Sequence, residues 1–309
     1  MEVAKIMVSV FSNVKEKNHP ESFGLMDILE SMKTGLAFIK KVVTDIRKEK
    51  DHGIKNILKI SLLPVFCPSG LFLKMKDKGI DKMSGVICID LDNVSDIKSE
   101  KERLMKNEYV FSIFKSPSGE GLKVLVLHNL NSPDLFNKLY AHVGDILGLQ
   151  NRTDLVFDLH CSNISRPCFW SYDPNLYINP NPTVLNVDNV DFSKYVIPPK
   201  EKKEKKEKKS QKEKKTTGIT ASSIIQSDKI KKKILHVHEL FEKYYNMYPG
   251  VRNRNLFILA GFFCNSGIPE DYAIDYLITY YTDTDNKFMG NEIITTVQSG
   301  NKDDEDEEE

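Results

Sequence analysis

The sequence lacks several features that mark specialised classes of protein. Its 309 residues contain no run of about 18 apolar residues, so a membrane-spanning helix is not expected. The segment Met1 to Phe11 has neither the basic start nor the apolar core of a signal peptide. The five cysteines are odd in number and scattered, which argues against a disulfide framework and favours a reducing, cytoplasmic location. A composition of 40% hydrophobic and 28% charged residues is typical of a soluble globular protein.

The sequence also has no formal net charge, because 44 basic residues balance 44 acidic ones. This balance conceals two opposite blocks. Residues 200–215 contain ten Lys and four Glu, whereas residues 301–309 contain seven acidic residues and one Lys. The rest of the chain is about neutral, so any binding of nucleic acid has to come from a local patch.

The lysine-rich block divides the chain. We predict a first folded domain over residues 1–197, a charged linker over 198–227, a helical domain over 228–300 and a disordered acidic tail over 301–309. Upstream of the linker, strands and helices alternate and two consecutive strands are joined by a tight loop, which indicates an α+β fold with a mixed sheet. Downstream, apolar spacing predicts a small bundle of four helices: Ile230 to Tyr245, Arg254 to Ser266, Pro269 to Tyr281 and Asn291 to Gln298.

The strand-like run Val86 to Asp92 ends in two aspartates, Asp90 and Asp92. Alternate side chains of a strand point to the same face, so these carboxylates project together and repel each other. Mg²⁺ and similar hard cations take oxygen ligands of this kind, which makes the pair a candidate metal site. The sequence Asp-Leu-Asp-Asn is also typical of a turn that follows a strand. For an isolated pair of aspartates, a purely structural turn is the favoured interpretation.

A loop of small residues, Ser116 to Gly121, joins two apolar strands and leads to Lys123. Ser116, Ser118, Gly119 and Gly121 would let the main chain approach a phosphate, and Lys123 would add positive charge. The spacing of a P-loop is absent, and such a loop standing alone is more often a hairpin turn.

A third carboxylate, Asp158, follows the apolar strand Leu155 to Phe157, and Arg166 comes eight residues later. Asp158 could share a metal with the first pair, and Arg166 could clamp a triphosphate. His160, Cys161 and Cys168 do not have the spacing of a zinc site, and burial of these cysteines is the favoured reading.

The order of these motifs resembles that in the archaeo-eukaryotic primase superfamily, whose catalytic domains are called primase-polymerase-like. The branch that is most similar forms the N-terminal domain of virulence-associated E type proteins of bacterial mobile elements and phages. The resemblance rests on four stretches: Leu62 to Phe72, Ser84 to Asp92, Ser116 to Val124 and Asp158 to Pro174. The downstream helices resemble the C-terminal helical domain of such primases, through Gly250 to Asn253, Gly267 to Pro269 and the helix from Asn291.

This resemblance implies a primase that makes primers on single-stranded DNA from nucleoside triphosphates by two-metal nucleotidyl transfer. It implies that Asp90, Asp92 and Asp158 hold Mg²⁺ or Mn²⁺, and that the Ser116 to Lys123 loop and Arg166 bind the triphosphate. A separate replicative helicase is expected as a partner, because the chain has no Walker A motif. Arg252 and Arg254 could touch a nucleic-acid backbone or could equally be ordinary solvated residues.

The chain departs from the superfamily pattern at one position, where Lys123 replaces the second-motif His. Lysine can still contact a phosphate, but with a different geometry from imidazole. Two rival hypotheses therefore stay open. The chain could be a catalytically silent nucleic-acid-binding module that retains the primase fold, or a metal-dependent nuclease that uses the same carboxylates.

Overall fold

The computed structural model describes residues 2–197, 221–245, 252–282 and 290–300. They form two compact units. The first consists of residues 2–49 and 58–197, and the second consists of residues 50–57 with the described residues from 221 onward. Most of the predicted linker, up to residue 220, and the predicted acidic tail after residue 300 lie outside the described residues.

The first unit combines short strands with helices. Its elements in chain order are β1 (Met7–Phe11), β2 (Glu21–Gly24), α1 (Leu25–Thr34), α2 (Ala37–Lys48), α3 (His52–Leu62, whose first residues belong to the second unit), β3 (Val65–Cys67), β4 (Gly70–Phe72), β5 (Ile80–Met83), β6 (Val86–Asp92), α4 (Ile97–Leu104), β7 (Val110–Lys115), β8 (Leu122–Leu127), α5 (Phe136–Ile146), β9 (Val156–Phe157), β10 (Cys168–Phe169) and β11 (Tyr177–Ile178).

These strands form two larger antiparallel sheets and one hairpin. One sheet has the strand order β10-β3-β1-β2, the other has the order β11-β7-β8-β6-β9, and β4 pairs with β5. Antiparallel sheets together with helices confirm the predicted α+β class. The expectation of a mixed sheet was wrong, because every strand pair within the described sheets is antiparallel. In the five-stranded sheet, β6 and β8 are central and their register runs from Val86 opposite Leu127 to Leu91 opposite Leu122.

The core of the first unit includes one face of this central pair. Ile87, Ile89 and Leu91 of β6 are fully buried, as are their cross-strand partners on β8. Branched side chains of this kind fit a pleated, buried surface and favour strands. Each fully buried Ile or Leu contributes about 1.5–3 kcal/mol of transfer free energy. This apolar face therefore fixes the strand that carries Asp90 and Asp92.

The described residues of the second unit are mainly helical, with α6 (Ala221–Glu242), α7 (Arg252–Asn265), α8 (Glu270–Thr282) and α9 (Gly290–Gly300). These are the four helices expected from apolar spacing. α6 already begins at Ala221, within the segment expected to be linker. Gly267 has φ +71°, and the next N–H, that of Ile268, donates to the Phe263 carbonyl at 3.0 Å, which closes the end of α7.

Sequence patterns missed α3, β2 and the β4–β5 hairpin. In α3, Ile54, Ile57 and Leu58 have helical spacing, but Gly53 near its start weakens the signal. The strand predicted from Leu155 to Phe157 is confined to Val156–Phe157, and a 3₁₀ turn begins directly after Asp158. None of the described helices has the length and apolarity that crossing a lipid bilayer requires.

Candidate functional site

One face of β6 packs into the core, and the opposite face carries polar side chains. Cys88, Asp90 and Asp92 alternate with the fully buried Ile89 and Leu91, so the first three share one face. Exposure increases along this face towards Asp92 at the end of the strand. The strand therefore holds the two carboxylates side by side at the margin of the core.

Lys123 of β8 lies directly opposite Asp90 in the register, and its ammonium group forms an ion pair with the Asp90 carboxylate. Only 14% of the Lys123 side chain and 13% of the Asp90 side chain are exposed. Burial disfavours the charge on Lys123, but the Asp90 carboxylate outweighs this and raises the pKa of Lys123. Lys123 is thus engaged by Asp90, whereas the sequence had suggested a direct role in phosphate binding.

The negative charge of Asp92 is unfavourable in the folded chain. Loss of solvation, followed by the like charge of Asp90, raises the pKa of Asp92. Lys123, Lys59 and Arg166 act in the opposite sense, so these cations lie within electrostatic reach of the Asp92 carboxylate. The site contains a carboxylate pair whose mutual repulsion would be relieved by a bound cation.

The pairing of β9 with β6 brings the main chain of Asp158 close to that of Asp90 and Asp92. The register pairs Leu91 with Phe157 and Asp92 with Val156, so its continuation would bring Asp158 opposite Asp90. The Asp158 carboxylate caps the following 3₁₀ turn and accepts the His160 N–H at 2.8 Å. This capping interaction engages one carboxylate oxygen of the predicted third metal ligand.

Cys161 connects Asp158 with Arg166. Its thiol lies 3.8 Å from the Asp158 Oδ2, and the Arg166 guanidinium lies 2.9 Å from its Sγ. Burial raises the pKa of the Cys161 thiol, and the charges of Arg166, Asp90 and Asp158 all act on it. The thiol therefore sits among the charged groups that the sequence singled out, and it orients the exposed Arg166 side chain.

Lys59 of α3 is a member of this site that sequence reasoning missed. Burial lowers the pKa of Lys59, and its charged neighbours are Lys123, Asp92, Asp90 and Arg166. The only signal in the sequence is a basic residue on a short helix, and Lys55 gives the same signal one turn earlier. Spacing could not single out Lys59, because its proximity to Asp90 and Asp92 depends on how segments remote in the chain meet.

The Ser116 to Gly121 loop is a closed hairpin turn between β7 and β8. The Ser116 N–H donates to the Gly121 carbonyl at 2.9 Å, and the Gly119 N–H donates to the Ser116 carbonyl at 2.9 Å. The Gly121 N–H donates to the Ser116 hydroxyl at 3.2 Å, and the Ser116 and Ser118 hydroxyls are 3.1 Å apart. These N–H groups are used within the turn, so a phosphate would have to displace the existing hydrogen bonds.

Gly121 brings this turn against the carboxylate strand. A Cβ at Gly121 would lie 2.4 Å from the Leu91 carbonyl oxygen and 3.3 Å from the Asp92 Oδ1. Only glycine permits so close an approach of two main chains. The loop therefore lies beside Asp92, while the N–H groups of Ser116, Gly119 and Gly121 donate within the turn.

Arg47 of α2 fixes the loop to a neighbouring segment. Its guanidinium donates to the Ser116 carbonyl at 3.1 Å and to the Tyr172 carbonyl at 2.9 Å. Asp173, which is 2% exposed, forms an ion pair with Lys101 and accepts the Asn175 N–H at 3.0 Å. Asp173 therefore serves a turn and a buried ion pair, which leaves Asp90, Asp92 and Asp158 as the candidate carboxylates.

The donor set has the chemistry of a Mg²⁺ or Mn²⁺ site. Mg²⁺ is commonly held by one or two carboxylates together with substrate phosphates and water, and Asp90 and Asp92 provide such a pair. Within the described ranges, no three His, Cys, Asp or Glu side chains are grouped so that they alone could hold a metal ion. The pair fits a cation that arrives with phosphate oxygens, and the Lys123 ammonium is the group it would have to compete with.

The second unit is described separately. Arg254 is exposed on α7, while the side chain of Arg252, the first residue of that helix, lies outside the described residues. His238 of α6 is the main polar group in its core, since it is 3% exposed and its two ring nitrogens lie 2.7 Å from the Tyr276 and Tyr281 hydroxyls.

Residues 58–178 match the model of a family described as BT4734-like, N-terminal domain. The match begins at the residue before Lys59 and contains Asp90, Asp92, Lys123, Asp158 and Arg166. No curated protein and no solved structure matches the chain.

Proposed function

We propose that the chain is a nucleotidyltransferase, a primase or primase-polymerase of a mobile element or phage that acts in the cytoplasm. It would synthesise primers on single-stranded DNA from nucleoside triphosphates. The observation that carries the proposal is the carboxylate pair Asp90 and Asp92, with Lys59, Lys123 and Arg166 in electrostatic reach. Nucleotidyl transfer requires acidic groups that bind a metal and, close to them, basic groups that bind a polyphosphate.

Each side chain has a defined task in this mechanism. Asp90 and Asp92 would hold the metal, which when bound supplies Lewis-acid stabilisation of the reacting phosphate and its leaving group. Lys123 holds the Asp90 carboxylate in position through their ion pair before the metal arrives. Arg166 is exposed and already donates to the Cys161 thiol, and its planar guanidinium can donate paired hydrogen bonds to phosphate oxygens. Asp158 can join the metal only by giving up the His160 N–H.

The proposed partners follow from this mechanism. A single-stranded DNA template and nucleoside triphosphates are the substrates, and strand separation falls to a separate helicase because the sequence has no Walker A motif. Tyr172 carries the Lys40 ammonium 5.1 Å from its ring centroid, an aromatic and basic combination suited to a single strand.

One observation favours a second candidate function. The ammonium of Lys123 already neutralises Asp90, and a lysine that substitutes for a metal would suit a silent nucleic-acid-binding module. This alternative retains template binding and predicts no nucleotide incorporation. The nuclease hypothesis predicts shortening of the DNA in the presence of metal alone.

The deciding experiment compares primer synthesis by the full chain and by an Asp90→Ala/Asp92→Ala variant. Single-stranded DNA, labelled nucleoside triphosphates and Mn²⁺ or Mg²⁺ are supplied, and products are separated by length. We expect short products from the wild type and a loss of at least 100-fold in the double variant. Asp81→Ala, an exposed position on β5, is the matched control and should retain activity.

Equal product from the wild type and the double variant would remove the catalytic proposal. Circular dichroism of both proteins shows whether the double variant remains folded. Template binding without products would select the silent module, and degraded template would select the nuclease.

A further inference from the structure

The candidate site contains a lysine that lacks an acidic partner of its own. Within the part of the chain that the structure describes, Lys59 has no carboxylate within ion-pair distance, whereas Lys123 is paired with Asp90. Lys59 is also half-buried, and this partial loss of solvent costs free energy for a charged ammonium group. A half-buried lysine with no carboxylate within ion-pair distance is a candidate for binding a ligand of opposite charge.

The position of Lys59 is set by packing. Its ammonium group lies 5.2 Å from the centroid of the Phe169 ring, in a cation–π contact. Phe169 lies on β10, which pairs with β3 directly after α3, so helix, ring and strand are close in space. The contact holds the Lys59 side chain in one place and leaves its donors available.

The charges around Lys59 favour an anion. The charged groups that act on it are Lys123, Arg166, Asp90 and Asp92, so three cations including Lys59 face two carboxylates. With Asp158, which lies across Cys161 from Arg166, the three acids of the site balance its three bases. A metal ion bound at Asp90 and Asp92 would leave a surplus of positive charge, and a polyphosphate carries enough negative charge to balance it.

We propose that Lys59 binds the polyphosphate of the nucleotide together with Arg166, while Lys123 serves to hold Asp90. This inference rests on the proposed function and names the group that recognises the triphosphate. The phosphate-binding lysine would then be Lys59 on α3, outside the sequence motifs. The order of the motifs had assigned this role to Lys123.

The first test measures binding of inorganic tripolyphosphate to the full chain by calorimetry in the presence of Mg²⁺. Lys59→Met keeps the apolar stem against Phe169 and removes the charge, and Lys98→Met on the exposed face of α4 is the matched control. We expect Kd to rise about 10-fold or more for Lys59→Met and to stay unchanged for Lys98→Met. Lys59→Arg should restore binding to within a few-fold of the wild type, because it restores the charge.

A second measurement uses the unmodified chain, so it does not depend on the folding of a variant. Lysine acetylation by acetic anhydride is quantified by mass spectrometry with and without tripolyphosphate. We expect saturating tripolyphosphate to lower the modification of Lys59 several-fold while Lys98 is modified equally in both samples. Equal modification of Lys59 in both samples, undetectable tripolyphosphate binding by the wild type, or unchanged affinity in Lys59→Met would each overturn the inference.

These readouts separate the inference from the proposed function. Tripolyphosphate binding that depends on Lys59, in a chain that makes no primers, would refute primer synthesis and leave this polyphosphate site standing. Primer synthesis in which Lys59→Met leaves KM for the nucleotide unchanged would refute only the role of Lys59.

Discussion

The ion pair between Asp90 and Lys123 should be strongly coupled in folding. Asp90→Asn leaves Lys123 buried without its counter-ion, and Lys123→Met leaves Asp90 beside the like charge of Asp92. Removing one partner of a fully buried pair costs about 3–5 kcal/mol. Because 13–14% of each side chain remains exposed, water relieves part of this penalty, and we expect about 2–4 kcal/mol for each single substitution.

The double variant Asp90→Asn/Lys123→Met contains no unpaired charge at this position. Its destabilisation should therefore be smaller than the sum of the two single effects, by about 2 kcal/mol or more. Mg²⁺ provides a second readout. Without the competing ammonium, Lys123→Met should gain more stability from added Mg²⁺ than the wild type does.

The assay is urea unfolding monitored by the fluorescence of Trp170, which is the only tryptophan in the chain. Trp170 is 7% exposed and its indole N–H donates to the Ser31 hydroxyl at 3.0 Å, so its emission reports on the first unit. Strictly additive single effects would refute the coupling, and an equal Mg²⁺ response in both proteins would refute the competition at Asp90.

Three further predictions concern other positions. Asp92→Asn should stabilise the metal-free chain at pH 7, since the raised pKa of Asp92 means that its charge is unfavourable in the folded state; the gain should vanish in thermal melts as the pH falls below 3.8, where Asp92 is protonated in both states. Gly121→Ala should lower the free energy of unfolding by about 1–3 kcal/mol, because its Cβ would lie 2.4 Å from the Leu91 carbonyl oxygen. Gly261→Ala, with open space around it inside α7, should raise the free energy of unfolding by at most about 1 kcal/mol, and urea unfolding measures both changes. His238→Phe should destabilise the second unit by about 1–3 kcal/mol, because it removes the imidazole nitrogens that lie 2.7 Å from the Tyr276 and Tyr281 hydroxyls. Burial lowers the pKa of His238, so the wild-type unit should lose stability as the pH falls below 6.5 and the variant should lose less, as followed by circular dichroism.

Much of the site could be read from local patterns. The alternation in Val86 to Asp92 predicted that Asp90 and Asp92 share a face, and the structure has them on one face of β6. Small residues between two apolar runs predicted a turn at Ser116 to Gly121, and the turn is present. Such features depend on the period of the backbone and on turn chemistry, which are properties of short segments.

Other features depend on which segments meet. Nothing in the sequence indicates that Lys123 faces Asp90, because that pairing depends on the register between β6 and β8. Lys59 and Arg166 reach the same carboxylates from a helix and a loop about a hundred residues apart. Asp158 was expected to point its carboxylate at a metal, and its interaction with the His160 N–H could not be read from its spacing.

The sequence by itself determined the α+β character of the first unit, the helices of the second, and the adjacent carboxylates on one strand, because hydrophobic period and residue conformation act over a few residues. The tertiary structure decided which cation neutralises which acid, which lysine is left without a counter-ion, and which carbonyl excludes a side chain at position 121. These depend on burial and on distances between segments that are remote in the chain, since the strength of a charge interaction is set by what surrounds it.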